Sequence, residues 1–259
     1  MQVQKLPAKT GFGWVADGFR LLARRPLALF AIAFLYLVAL VLSTVVPLVG
    51  PFAPLLITPL LAVGFMHAVR AVDEGRTPTL GQLLQGLRDD EGRAWKRLLI
   101  LGLLNVVTTL LALALASLAD GGTLLRIATG QAAPDDAEIG GTGLLVAALT
   151  FLVAYTPIQM ALWFAPLFVA WHGVAPAKAL FFSFFAVMRN KGAFFCYALG
   201  WFLVAILTSL FLQIFSLLTG GSNLLLSLIL SPLSLAVFAS LYCSFWSSYR
   251  GVVLGGGSA

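Results

Sequence analysis

The sequence predicts an all-α, polytopic membrane protein: six transmembrane helices, three interfacial amphipathic helices, and a threefold helical-hairpin repeat as a further reading. Three observations lead there. The 259 residues are 60% hydrophobic and only 10% charged, against about 25% charged in a soluble domain, and the mean hydropathy is +0.99. Apolar runs fall at 27–46, 51–69, 98–118, 144–171, 193–218 and 224–249, each close to or above the ~20 residues that cross a ~30 Å hydrocarbon core. If these runs alternate in direction, 15 of the 16 Lys and Arg lie on the side of the N-terminus, leaving only Arg126 opposite. Basic residues concentrate on the cytoplasmic side of membrane proteins. That places both termini of a multi-pass membrane protein in the cytoplasm.

The chain is expected to begin with a disordered cytoplasmic tail, 1–10, and to end in a flexible one, 251–259. Residues 11–250 then form a single six-helix membrane domain. Ahead of the first run, Phe12, Val15, Phe19 and Leu22 share one face of a helix, the pattern of an amphipathic segment lying in the interface. Arg24 and Arg25 precede Pro26, which suits a helix start because its missing N–H has no intrahelical partner there. The run behind them is too long for a signal-peptide core of about 7–15 residues, so it reads as a retained first span.

The turn Pro47–Pro51 joins the first two runs. Residues 70–97 carry six basic and five acidic residues, with Leu80, Leu83, Leu84 and Leu87 as a second helical stripe. This segment is expected to be a surface helix with a solvated loop, or a docking segment for a protein partner. In the third run Ala112 and Ala116 form a small-residue pair suited to close packing. The loop 119–143 has room for a short helix at Leu124–Thr129, and the fourth run, 144–171, is longer than a span needs. A third stripe, Leu180, Phe181, Phe184, Phe185 and Met188, precedes the fifth run. The sixth carries Ala236, Ser240, Ser244 and Ser248 at four-residue spacing. The tryptophans Trp14, Trp95, Trp163, Trp171, Trp201 and Trp246 sit mostly near run ends and read as interface anchors.

Each even-numbered run contains a Ser/Thr-Pro step: Thr58-Pro59, Thr156-Pro157 and Ser231-Pro232. Proline removes a backbone donor and kinks a helix, and a neighbouring hydroxyl can relieve the freed carbonyl. Pro59, Pro157 and Pro232 are therefore expected kinks, with a cavity between kinked helices.

Catalysis inside a bilayer usually shows itself as ionisable residues within spans, and all ten acidic residues fall outside the runs. No catalytic residue, metal site or cofactor is expected. Cys196 and Cys243 lie in apolar runs with no metal-ligand spacing. No P-loop or dinucleotide motif occurs. The net charge of +6 flanks apolar runs instead of forming a basic domain, which points to anionic lipid and not nucleic acid. His67, His172 and Gln159 are the candidate ligand-binding residues. Arg24, Arg25, Lys96, Arg97, Arg189 and Lys191 are the candidate headgroup contacts.

The stretch from Gly11 to Leu27, with Trp14, Gly18-Phe19-Arg20-Leu21 and Pro26-Leu27, resembles an uncharacterised family of six-span bacterial inner-membrane proteins, the BPSS-type membrane proteins. So do the turn Pro47–Pro51 and Ala179-Leu180-x-x-Ser183 ahead of Arg189-Asn190. The last of these is distantly similar to the YciC-type family and to the membrane domain of glycerophosphodiester phosphodiesterases. The resemblance implies an inner-membrane address and no assigned catalytic residue. Residues and resemblance together point to a non-enzymatic protein that handles lipid or another amphipathic molecule, or maintains the envelope. A membrane anchor or assembly subunit, and a transporter or channel, are the alternatives.

Overall fold

A computed structural model describes residues 3–46, 50–131 and 142–255; the middle of the Pro47–Pro51 turn and Asp135, Asp136 and Glu138 lie outside them. Among the described residues there is no strand. The helices are α1 (Thr10–Arg24), α2 (Pro26–Ser43), α3 (Ala53–Asp73), a 3₁₀ helix (Leu80–Leu87), the single turn α4 (Asp89–Gly92), α5 (Ala94–Asp120), α6 (Thr123–Ala128), α7 (Thr142–Leu162), α8 (Ala165–His172), α9 (Pro176–Arg189), α10 (Lys191–Leu218) and α11 (Asn223–Tyr249). A π-helical turn, Arg250–Leu254, ends the described chain. Six stretches among the described residues are long and apolar enough to cross a membrane: Pro26–Ser43, Ala53–Asp73, Ala94–Asp120, Thr142–His172, Lys191–Leu218 and Asn223–Leu254. Leu27, Leu118 and Leu217 stand more than four-fifths exposed on them, an outside that suits lipid.

The fold divides into two compact units, Met1–Tyr36 with Gly64–Gln85 and Ala186–Ala259, and Leu37–Val63 with Gly86–Phe185. In the first unit α1 packs against α10 and α11. Helices in lipid gain little from hydrophobicity and associate by close van der Waals contact, so small residues mark their interfaces. A Cβ on Gly11 would lie 2.0 Å from the Ala193 carbonyl oxygen, and one on Gly18 would lie 2.5 Å from that of Ser240. Gly11, Trp14, Val15, Gly18, Leu21 and Leu22 form the buried face. Of the stripe Phe12, Val15, Phe19 and Leu22, Val15 and Leu22 join this face, and both phenylalanine rings stay partly exposed. Ser240, Ser244 and Ser248 on α11 are fully buried, and the Ser244 hydroxyl meets the Tyr197 hydroxyl at 2.8 Å and accepts the Trp201 Nε1–H at 3.3 Å. Tyr36, Phe65, Phe238 and Tyr242 form an aromatic cluster with ring centroids 4.7 to 6.3 Å apart.

The expected disordered tail is ordered from residue 3 onward. The Gln4 N–H donates to the Val252 carbonyl at 3.0 Å, and the Leu6 N–H donates to Asn190 Oδ1 at 2.8 Å. Gly251 and Val252, assigned to a flexible tail, are buried. Two tryptophans also depart from their expected place: Trp14 and Trp246 belong to the core, where their rings pack on Phe194, Tyr197 and Tyr249.

In the second unit α5 packs on α7 and α8. The Asp120 carboxylate accepts the Gly122 and Leu124 N–H groups at 2.9 and 2.7 Å, supplying acceptors to the unpaired donors that begin the short α6. Gly102 lets α5 approach α3, since a Cβ there would lie 1.9 Å from the Leu56 carbonyl oxygen. The fourth run is one span-length stretch but two helices, broken at Trp163–Phe164.

Candidate functional site

Pro59, Pro157 and Pro232 lie inside α3, α7 and α11, but the hydrogen bonding of the hydroxyls before them differs from expectation. Thr58, Thr156 and Ser231 each donate a hydroxyl hydrogen bond to the carbonyl four residues earlier, at Pro54, Leu152 and Ser227, over 2.7, 2.7 and 2.9 Å. These are not the carbonyls the prolines free. Pro59 withdraws its donor from Leu55, and that oxygen accepts Asn105 Nδ2 from α5 at 3.3 Å. Asn105 is therefore the side chain that supplies the donor Pro59 lacks. Its Oδ1 and the Thr109 Oγ1 one turn later are buried without a hydrogen-bond partner in the structure.

The break between α7 and α8 has an analogous solution. Where a continuous helix would bond the Phe164 N–H to the Met160 carbonyl, the Ser183 hydroxyl stands between them. It accepts from Phe164 N at 2.9 Å and donates to Met160 O at 2.9 Å. A side chain inserted into the helical ladder is one of the few causes of a sharp bend. Ser183 is fully buried on the face of α9 that also holds Ala179, Ala186, Val187 and Asn190. Of the stripe read from the sequence, Phe181, Phe185 and Met188 are exposed, as is Phe182 beside them.

Beside Pro157 lies an apolar cleft of about 330 Å³, lined by Leu104, Thr108, Pro157, Ile158, Ala161, Leu162, Leu180 and Phe184. Its volume is at the lower end of the ~300–1,000 Å³ typical of ligand pockets. Thr108 is the one hydroxyl on its wall, and that hydroxyl donates to the carbonyls of Leu104 and Asn105, at 2.6 and 3.2 Å. The wall offers a ligand surface and no hydrogen bond. Gln159 is half-buried on the same helix and is not part of this wall.

A second, polar pocket of about 340 Å³ is lined by His67, Arg70, Glu74, Arg76, Gln82 and Gln85. Its wall is built by a 3₁₀ helix, not the α-helical stripe that Leu80, Leu83, Leu84 and Leu87 suggest. Of those leucines Leu83 alone is buried, pressed on Gly64, where a Cβ would lie 2.0 Å from the Leu83 carbonyl oxygen. The sequence points to His67 and misses its neighbours in the pocket.

His172 ends α8 with its ring 6.2 Å from that of Phe168 and lies in the other unit from His67. Arg25 caps the end of α1, Lys96 lies over the Trp95 ring at 5.6 Å, and Arg189 and Lys191 are exposed. Arg97 pairs with Asp90 at 2.9 Å and donates to the Gly173 carbonyl at 3.2 Å. Arg24 stands 3.7 Å from Asp73.

Asp73 is the charged residue the sequence places in a loop, yet it sits in the last turn of α3. One Arg250 guanidinium nitrogen reaches both of its oxygens at 3.0 and 2.9 Å, and Trp246 Nε1 donates to it at 3.0 Å. Its hydrogen-bond partners lie more than 170 positions away, so no local pattern signals the site. Cys196 and Cys243 are free thiols. Among the described residues no group of three or more His, Cys, Asp and Glu is placed to hold a metal.

Over 255 residues the chain is 42% identical to a protein of Burkholderia thailandensis named as a probable inner membrane protein, covering 97% of this chain and 93% of that one. No family model matches the chain, and no solved structure does. The likenesses to the YciC-type family and to the phosphodiesterase membrane domain therefore rest on the Ala179–Asn190 motif alone.

Proposed function

The chain belongs to the family of the Burkholderia thailandensis probable inner membrane protein BTH_II0599, and on that premise we propose that it binds lipid or another amphipathic molecule by its apolar tail, in the cleft beside Pro157. The observation that supports this is the chemistry of the wall. Eight residues from α5, α7 and α9 line an open cleft of about 330 Å³, and the one hydroxyl among them is engaged by its own helix. Such a surface favours a hydrocarbon chain over any polar solute, because burying an unpaired polar group costs free energy. Pro157 shapes the cleft by removing a backbone donor from α7 and bending it. The exposed aromatic rings of α9 beside Lys178 and Arg189 suit a helix lying at the headgroup level, with both termini in the cytoplasm.

The test is lipid retention by protein extracted with its surrounding bilayer. Ala161→Phe, which fills the cleft, should abolish co-purifying lipid in native mass spectrometry while leaving the helical signal in circular dichroism unchanged. Leu104→Ala, which widens the cleft, should shift the retained population toward bulkier tails. Retention indifferent to both substitutions would count against the reading.

A further inference from the structure

The polar pocket around His67 has no role in holding a tail. We propose that it binds a phosphate-type anion, from an acidic lipid headgroup or free in solution, by displacing the Glu74 carboxylate from between two arginines.

The wall is assembled by two periodicities. His67, Arg70 and Glu74 follow one another at i, i+3 and i+7, so they share one face of α3 and its continuation. A 3₁₀ helix has three residues per turn, so residues three apart eclipse, and Gln82 and Gln85 stand one above the other. Gly64 brings that helix into backbone contact with α3, one turn before His67. Gln82 Oε1 accepts the Thr79 N–H at 3.1 Å, which leaves the Nε2 donor as the other end of its carboxamide. Arg76 is held by a turn through Gly75, whose φ of 78° is the left-handed region glycine occupies without strain, and its N–H donates to the Ala71 carbonyl at 2.8 Å. The pocket therefore combines two guanidiniums, two carboxamides and an imidazole, a set rich in donors, with one acid.

That acid marks where the anion goes. Glu74 accepts Arg70 Nε at 2.9 Å and is also bonded by Arg76 Nη2. Arg76 first, then Arg70, hold its carboxyl below the usual carboxylate range, so it remains charged at neutral pH. A carboxylate between two guanidiniums shows that the donors converge on an anion. A phosphate has more oxygens and more charge for the same donors. The position fits a headgroup as well, since the pocket begins in the last turns of α3, a membrane-capable helix.

Opposite effects from two substitutions test this. Full-length protein is placed in nanodiscs of phosphatidylcholine alone or with phosphatidic acid, and in neutral detergent titrated with inorganic phosphate. Binding is read by thermal shift and by native mass spectrometry. Arg76→Gln should weaken binding about tenfold and Glu74→Gln should strengthen it by about the same factor, the size of one charge-assisted contact. Arg88→Gln, which removes an equal charge outside the pocket, should change nothing. An effect with phosphatidic acid and none with inorganic phosphate assigns a headgroup; the converse assigns the free ion. The proposal is overturned if Glu74→Gln weakens binding, if Arg88→Gln matches Arg76→Gln, or if neither probe responds to the pocket variants.

Discussion

Asn105 on α5 donates its amide to the carbonyl of Leu55, the oxygen that Pro59 deprives of a helical partner, across 3.3 Å. The two changes should therefore be coupled. Asn105→Ala should destabilise the protein by about 1 kcal/mol, typical of an interhelical hydrogen bond in a membrane. In a Pro59→Ala background, where residue 59 regains its N–H, the same substitution should cost clearly less. Reversible unfolding of the four variants in mixed micelles measures the coupling, and equal costs in both backgrounds would show that Asn105 serves something else.

Ser183→Ala removes one hydroxyl but strands two backbone groups, the Phe164 N–H and the Met160 carbonyl. Each buried unsatisfied group costs about 1–3 kcal/mol, so the variant should lose more than a typical single hydrogen bond. Amide exchange at Phe164 should accelerate, while exchange in α10 should not. Unchanged protection at Phe164 would contradict the bridging geometry.

The two glycines of Gly11-Phe12-Gly13 should respond oppositely to alanine. A Cβ on Gly11 would stand 2.0 Å from the Ala193 carbonyl oxygen, and one on Gly13 would meet nothing within 4 Å. Gly11→Ala forces backbones apart and should cost about 1–3 kcal/mol. Gly13→Ala should stabilise by up to about 1 kcal/mol, because alanine is the better helix former. Thermal unfolding of the two variants in detergent separates them.

Asp73→Asn should destabilise far more than Arg24→Gln. The first removes charge from a carboxylate 15% exposed and bonded by Arg250 and Trp246. The second removes a contact at 3.7 Å from a side chain 56% exposed, where ion pairs contribute about 0–1 kcal/mol. A charge-assisted hydrogen bond contributes about 1.5–3 kcal/mol, so the two variants should be separable by their unfolding midpoints.

The spans are legible in the sequence because they answer to the solvent. A run of about twenty uncharged apolar residues has few other uses, whatever its neighbours do. Asn105, Ser183 and Asp73 are less legible because each serves a backbone or side chain 19 to 177 positions away. Trp14 and Trp246 show the same limit: near a run end, a tryptophan reads alike whether its ring faces lipid or core. The polar pocket fails to show for a subtler reason. Leu80, Leu83, Leu84 and Leu87 satisfy an α-helical stripe, but the segment forms a 3₁₀ helix, whose three residues per turn align Gln82 with Gln85. His67 could be singled out as a histidine near a span end, but its companions could not.

Gln4 and Leu6 find their partners at Val252 and Asn190. Residues made early thus wait for ones made much later before these hydrogen bonds can close. Until then, the face of α1 that carries Gly11, Trp14 and Gly18 has neither α10 nor α11 to pack on. A chain stopped before Asn190 would lack both helices that cover this face of α1.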